Sequence, residues 1–95
     1  MYIKGMILDW DEAKRQITLD QRGLDFADLA KFDWDGGVFF DDERRDYGEH
    51  RQSALGLLDN RLVAIAFTLR DGKYRIISLR KANSRERKVY DRFNA

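Results

Sequence analysis

The sequence predicts an α+β domain with two helices at the N-terminal end, an antiparallel β-meander in the middle and one helix at the C-terminal end. Three observations carry this reading. Capped stretches with apolar residues at helical spacing stand near both ends. Between them the apolar period shortens to two, the period of strands. Two dipeptides suited to tight turns, Asp59-Asn60 and Asp71-Gly72, divide that middle region into runs of strand length.

The first helix is expected over residues 10–21. Asp9 serves as N-cap, with Glu12 three residues on in a capping-box arrangement and Leu8 and Ala13 at the staple positions. Trp10, Ala13 and Ile17 recur at helical spacing, and Gly23 supplies a left-handed stop. Asp25 then caps a second, shorter helix that ends near Phe32, with Phe26, Leu29 and Ala30 as its buried stripe. The glycines of Asp33-Trp34-Asp35-Gly36-Gly37 mark a turn before a short strand, Val38-Phe39-Phe40, and Asp41 to Gly48 form a polar connection.

Three strands follow near 51–58, 61–70 and 73–80. In the middle one Val63, Ile65, Phe67 and Leu69 share one face while Leu62, Ala64 and Ala66 share the other. Apolar character on both faces makes it the central strand, with helices over at least one side. Asn83 begins the last helix, Ser84–Phe93, with Glu86 completing a second capping box. Val89 and Phe93 form its apolar stripe, with Tyr90 beside it.

Composition narrows the chemistry. The chain has 95 residues, the size of a single domain spanning 1–95, and 43% apolar residues are enough for one core. It has no cysteine and one histidine, which removes disulfides and thiolate ligands; no metal site and no cofactor are expected. No run approaches the roughly 20 apolar residues of a membrane span, and the first residues lack the apolar stretch of a signal peptide, so a cytoplasmic location away from membranes is expected. The formal net charge of +1 conceals a division: residues 1–69 hold 9 Lys and Arg against 14 Asp and Glu, whereas residues 70–95 hold 9 against 3. A basic terminal quarter suits a polyanion or an acidic protein partner.

Chemistry concentrates in two places. Tyr74-Arg75-Ile76-Ile77-Ser78-Leu79-Arg80-Lys81 sets cations into an apolar strand and runs on to Arg85, Arg87 and Lys88. Strand alternation places Ser78 and Arg80 on one face with Tyr74 and Ile76, and Arg75 on the other with Ile77 and Leu79. Arg80 suits a phosphate, since guanidinium presents a fork of donors and keeps its charge. Alternatively Arg75 and Arg80 pair with the acids of residues 41–49. Gly48-Glu49-His50-Arg51 gathers a carboxylate, an imidazole and a guanidinium. Metal-free RNA cleavage needs a base, an acid and cations for the charge growing on phosphorus, so Glu49 or His50 is a candidate base, with Arg51 and Arg80 as stabilisers. The plainer alternatives are an exposed strand-end His50 and a Glu49 ion-paired with Arg51 or the basic strand. Trp10, Trp34, Phe39, Phe40 and Phe67 read as core, and Tyr90 either touches RNA or packs on the sheet.

The blocks Asp9-Trp10-Asp11-Glu12-Ala13-Lys14, Gly48-Glu49-His50-Arg51, Arg75-Ile76-Ile77-Ser78-Leu79-Arg80-Lys81-Ala82, Arg85-Glu86-Arg87 and Tyr90 resemble the BrnT toxin family in order and spacing, over nearly the whole chain. The resemblance implies a RelE-like fold, metal-independent RNA cleavage that halts translation, and neutralisation by a BrnA-type antitoxin, with operator DNA bound only through that complex. Residue by residue it carries over Glu49, Arg51, Arg75, Ser78, Arg80, Glu86 and Tyr90; Lys81, Arg85 and Arg87 join them as cations that can hold RNA. Where the family usually has Lys-His-Gly at the end of the first helix, this chain has Gln21-Arg22-Gly23. Arg22 keeps a phosphate contact but is no base at neutral pH. Two alternatives to an endoribonuclease stand beside it: a degenerate toxin kept for operon autoregulation, and a non-enzymatic module that binds RNA or the antitoxin.

Overall fold

A computed structural model of the chain describes residues 2–3, 6–42 and 50–95, with residues 2, 3, 6 and 42 by their backbone alone. The polar connection read at 41–48 lies outside the described residues from 43 onward, and so does Glu49. The elements are β1 (Tyr2–Ile3), β2 (Met6–Trp10), α1 (Glu12–Arg22), a 3-10 helix (Phe26–Lys31), β3 (Val38–Asp42), β4 (Arg51–Leu58), β5 (Arg61–Arg70), β6 (Lys73–Lys81) and α2 (Ser84–Phe93). The strands form one sheet in the order β1-β2-β6-β5-β4-β3.

Strand β5 organises both layers around the sheet. Val63, Ile65 and Phe67 point to one side and Leu62, Ala64 and Thr68 to the other, and all six are buried. On the first side they meet the segment from Leu24 to Trp34. Phe26, Leu29 and Phe32 stand three residues apart, the repeat of a 3-10 turn, so all three face the sheet and Ala30 turns outward. The Trp34 indole donates to the Leu29 carbonyl at 2.9 Å, and its ring stacks on Tyr74 at a centroid distance of 5.2 Å. The Asp33 amide donates to the Leu57 carbonyl, seating this segment on β4. On the second side α2 lays Tyr90 and Val89 over Leu55, Leu62 and Ala64. Its N-cap Asn83 and Glu86 exchange the two bonds of a capping box.

Helix α1 is attached by polar contacts rather than by a buried face. None of its residues is buried, and Ile17 is largely exposed. Arg15 donates to both oxygens of Asp25, at 2.7 and 3.0 Å, which holds the Asp25 carboxyl below the usual carboxylate range. Arg22 Nη1 donates to the Leu79 carbonyl at 2.8 Å, closing a stretch of β6 beyond its pairing with β2. No helix among the described residues is long and apolar enough to cross a membrane.

The class is α+β, but the expected two N-terminal helices and antiparallel meander do not match. Strands come first, and the sheet is mixed: β2 pairs in parallel with β6, Leu8 opposite Tyr74 and Asp9 opposite Arg75. The strands 51–58, 61–70 and 73–81 form two hairpins inside this larger sheet, with positive φ at Asp59, Asn60, Asp71 and Gly72. Asp9 is therefore a strand residue; the N-cap of α1 is Asp11, whose side chain accepts from the Ala13 and Lys14 amides. A five-residue strand whose partner lies more than sixty positions away carries no local periodic signal, whereas two aspartates before a helix offer two N-caps. The second helix is a 3-10 helix, not an α-helix.

Gly56 lies in β4 under the buried Phe32 ring, and a Cβ there would run into that ring. Gly56→Ala should destabilise the fold by about 1–3 kcal/mol, read as a lower urea midpoint with an unchanged denaturant slope.

Candidate functional site

The geometry of the site follows from one irregularity in β6. Residues directly opposite each other on paired strands share a face. Ala66 lies opposite Ser78 but Phe67 lies opposite Ile76, so Ile77 is an extra residue, a β-bulge. Regular pairing beyond Ile76 would turn Ser78 and Arg80 toward the core and Leu79 out of it. The bulge instead keeps Leu79 fully buried beside Ile76. It thereby brings Arg75, Ser78 and Arg80 to the same face, opposite Thr68, Ala66 and Ala64. The expectation that Arg75 and Arg80 occupy different faces is overturned for this reason.

Rows across the sheet describe this face. One runs Arg51, Thr68, Arg75, Asp9; the next Phe40, Ser53, Ala66, Ser78; the third Val38, Leu55, Ala64, Arg80. Helix α2 covers only the part of the face around Leu62 and Leu55, and beside it a groove of about 380 Å³ remains. Phe40, Ser53, Ala64, Ala66, Ser78 and Arg80 line it from the sheet, and Arg85, Glu86 and Val89 from α2. Farther along β5 a second hollow, of about 200 Å³, is lined by Lys14, Arg51, Arg70 and Arg75 together with Asp11 and Thr68.

Two ion pairs fix the arginines of β6. Arg80 forks onto Glu86, at 2.7 and 2.8 Å, and the Glu86 carboxylate also accepts from the Asn83 amide at 2.9 Å. The Arg80 hydrogen bonds hold the Glu86 carboxyl below the usual range. Arg75 donates to Asp9 at 2.7 Å and lowers its pKa in the same way. Of the alternative partners, the acids of 41–49, only the side chain of Asp41 is among the described residues, and it meets His50 and Gln52; the partners seen are Asp9 for Arg75 and Glu86 for Arg80. Among the described residues no group of three His, Cys, Asp or Glu is placed to hold a metal ion.

Arg51, Arg75, Ser78, Arg80 and Arg85 gather on one face, but other candidates do not join them. His50 lies on the opposite side of the sheet: its Nε2 meets Asp41 at 3.0 Å, and Asp41 faces Gln52, whose neighbour Phe67 is in the core. The imidazole is 62% exposed, while the His50 carbonyl is held by the Thr68 hydroxyl at 2.6 Å. The His50 and Gln52 hydrogen bonds lower the Asp41 pKa. Lys81, opposite Val63, also belongs to the other face, and Arg87 is exposed on α2 outside the groove lining. Tyr90 is buried beneath α2, and Arg22 closes the edge of β6. Phe39 and Phe40, both read as core, are 43% and 39% exposed: Phe40 lines the groove, while Phe39, turned to the other face by strand alternation, touches the core only through ring contacts with Trp34 and Phe67.

Residues 10–86 match the family model described as the ribonuclease toxin, BrnT, of type II toxin–antitoxin systems. This chain belongs to the BrnT family. The crystal structure of the Brucella abortus ribonuclease toxin BrnT is similar to it with a TM-score of 0.66 and 29% identity, over 83% of this chain and 99% of that one. No curated protein sequence matches. The BrnT match contains both ends of the Arg80–Glu86 fork and every residue of the groove except Val89, and it stops short of Arg87 and Tyr90.

The fork also sets an acid response. A carboxyl whose native pKa is depressed stabilises the fold above its unfolded pKa, about 4.3 for glutamate, and loses that contribution as pH falls through the native value. The stability difference between wild type and Glu86→Gln should therefore be largest near neutral pH and shrink below about pH 4.3, as read from urea midpoints across that range.

Proposed function

We propose that this BrnT-family chain is a metal-independent endoribonuclease of the cytoplasm that cleaves RNA and blocks translation until a BrnA-type antitoxin neutralises it. The observation that carries the reading is the alignment of Arg51, Arg75, Ser78 and Arg80 along the open face of the sheet. The 2′-hydroxyl of the substrate attacks the adjacent phosphorus as its proton passes to a base. The 5′-oxygen leaves with a proton, which produces a cyclic phosphate and a new 5′-hydroxyl end. Charge grows on the phosphoryl oxygens in between, and Arg80 and Arg51 neutralise it. Arg80 is already oriented by Glu86, which as a low-pKa, ion-paired carboxylate positions the guanidinium rather than taking a proton. The base role falls to Glu49, two residues before Arg51 in the chain. His50 has no place in this scheme, because its ring is on the opposite face.

Purified, antitoxin-free protein incubated with total RNA in excess EDTA should generate new 5′-hydroxyl ends. Arg80→Ala should slow their appearance by about a hundredfold or more, the usual effect of removing one stabiliser of transition-state charge. Intact RNA from folded protein would count against catalysis. RNA bound but uncut would favour the non-enzymatic module.

The antitoxin is expected to lay an acidic, amphipathic segment across the same basic surface. Arg85 and Arg87 are exposed on α2, so reversing both to Glu should weaken the complex at least about tenfold, mainly through the loss of complementary charge. An unchanged dissociation constant by calorimetry would rule that docking mode out.

A further inference from the structure

We infer that the groove between Phe40 and the start of α2 is a pocket for one unpaired nucleobase of single-stranded RNA, with Phe40 as its stacking residue. This rests on the ribonuclease reading above and adds to it the part of the substrate that is recognised.

The groove is unlike a phosphate site. Its floor is Ala64 and Ala66, two small side chains in succession on the open face of β5, which leave a depression between bulkier flanks. Phe40 walls one side, and Val89 with the first turn of α2 walls the other. The ring of Phe40 is 39% exposed and takes no part in the aromatic contacts that tie Phe39 to Phe67 and Trp34. A volume of about 380 Å³ falls in the range of small-molecule sites, about 300–1,000 Å³. Charge stands at the rim, where Arg80 and Arg85 are exposed and the one carboxylate among the described lining residues, Glu86, is taken up by the fork from Arg80.

An apolar floor, an exposed aromatic ring and cations confined to the edge match a nucleotide, with a flat base inside and a phosphate outside. The hydroxyls of Ser53 and Ser78 flank Ala66 in one row across the sheet, where they can meet the polar edge of a base. A base held in a duplex cannot enter a recess closed by a strand on one side and a helix on the other. The pocket therefore selects single-stranded RNA, and the bound base places its phosphate against Arg80.

The test is equilibrium binding of a short RNA made uncleavable by 2′-deoxy substitution, compared with the same strand carrying one abasic position stepped along it. For the wild type, one abasic position should weaken binding by about five- to hundredfold, the usual effect of losing one base–aromatic stack. In Phe40→Leu that penalty should largely vanish, in Phe40→Trp it should return, and the abasic strand should bind all three proteins alike. Phe40 is half exposed, so neither change threatens the fold; Ala66→Leu, which fills the floor, gives an independent loss of the penalty. Two results would overturn the pocket while leaving the ribonuclease reading intact: an abasic penalty unchanged in Phe40→Leu, or no penalty at any position in a wild type that still binds RNA. Failure of the wild type to bind either strand would overturn the ribonuclease reading itself, and the pocket with it.

Discussion

The constraint on which the rest of this structure depends is that β5 is apolar on both faces. A strand of that kind cannot sit at a surface, so it needs neighbours on both edges and cover on both sides. The hairpins to β4 and β6 satisfy the edges. One face is closed by the aromatic segment that ends at Trp34, and the other by α2. The two covers differ in extent. The aromatic segment brings Phe26, Leu29, Phe32 and Trp34 to its face, whereas α2 brings Tyr90 and Val89, with room beside them. The groove is what a short helix leaves uncovered on a long strand. Its basic rim is the set of cations that this uncovered area leaves in contact with water.

Polar contacts then do work that apolar burial does elsewhere. Helix α1 contributes nothing to the buried core, yet Arg15 anchors it to the cap of the next helix and Arg22 to an open carbonyl of β6. At the end of α1 this chain thus uses a guanidinium to complete a sheet edge. The same logic governs the groove: a capping-box glutamate that would ordinarily serve only its own helix also orients Arg80. Helix initiation and the placement of the central cation are therefore one arrangement, and α2 cannot fray at its first turn without releasing both.

What could be read from the chain alone was whatever local chemistry decides. The strands at 51–58 and 61–70, the turns at Asp59-Asn60 and Asp71-Gly72, and the helix from Ser84 capped by Asn83 depend on alternation, positive φ and side-chain caps within a few residues. Non-local features escaped. The parallel strand Met6–Trp10 exists because β6 is there to receive it, and Asp9 is paired because Arg75 lies across that junction. Simple alternation misplaced Arg75 relative to Arg80, since no residue type marks Ile77 as an insertion. Phe26, Leu29 and Phe32 did carry their three-residue period in plain view, but helical expectation at 3.6 absorbed it.

The bulge at Ile77 has a consequence for how such chains can lengthen and shorten. Elsewhere in β6, losing one residue would invert every side chain beyond the cut, sending leucine into the groove and arginine into the core. At the Ile76-Ile77 pair a residue can disappear with no change of face for any other, because the pairing of one isoleucine with Phe67 and of Ser78 with Ala66 already skips the second. The strand thus contains a built-in slack of one position, placed between its two groups of functional side chains. Chains aligned across this segment can differ by one residue there and still present the same groove.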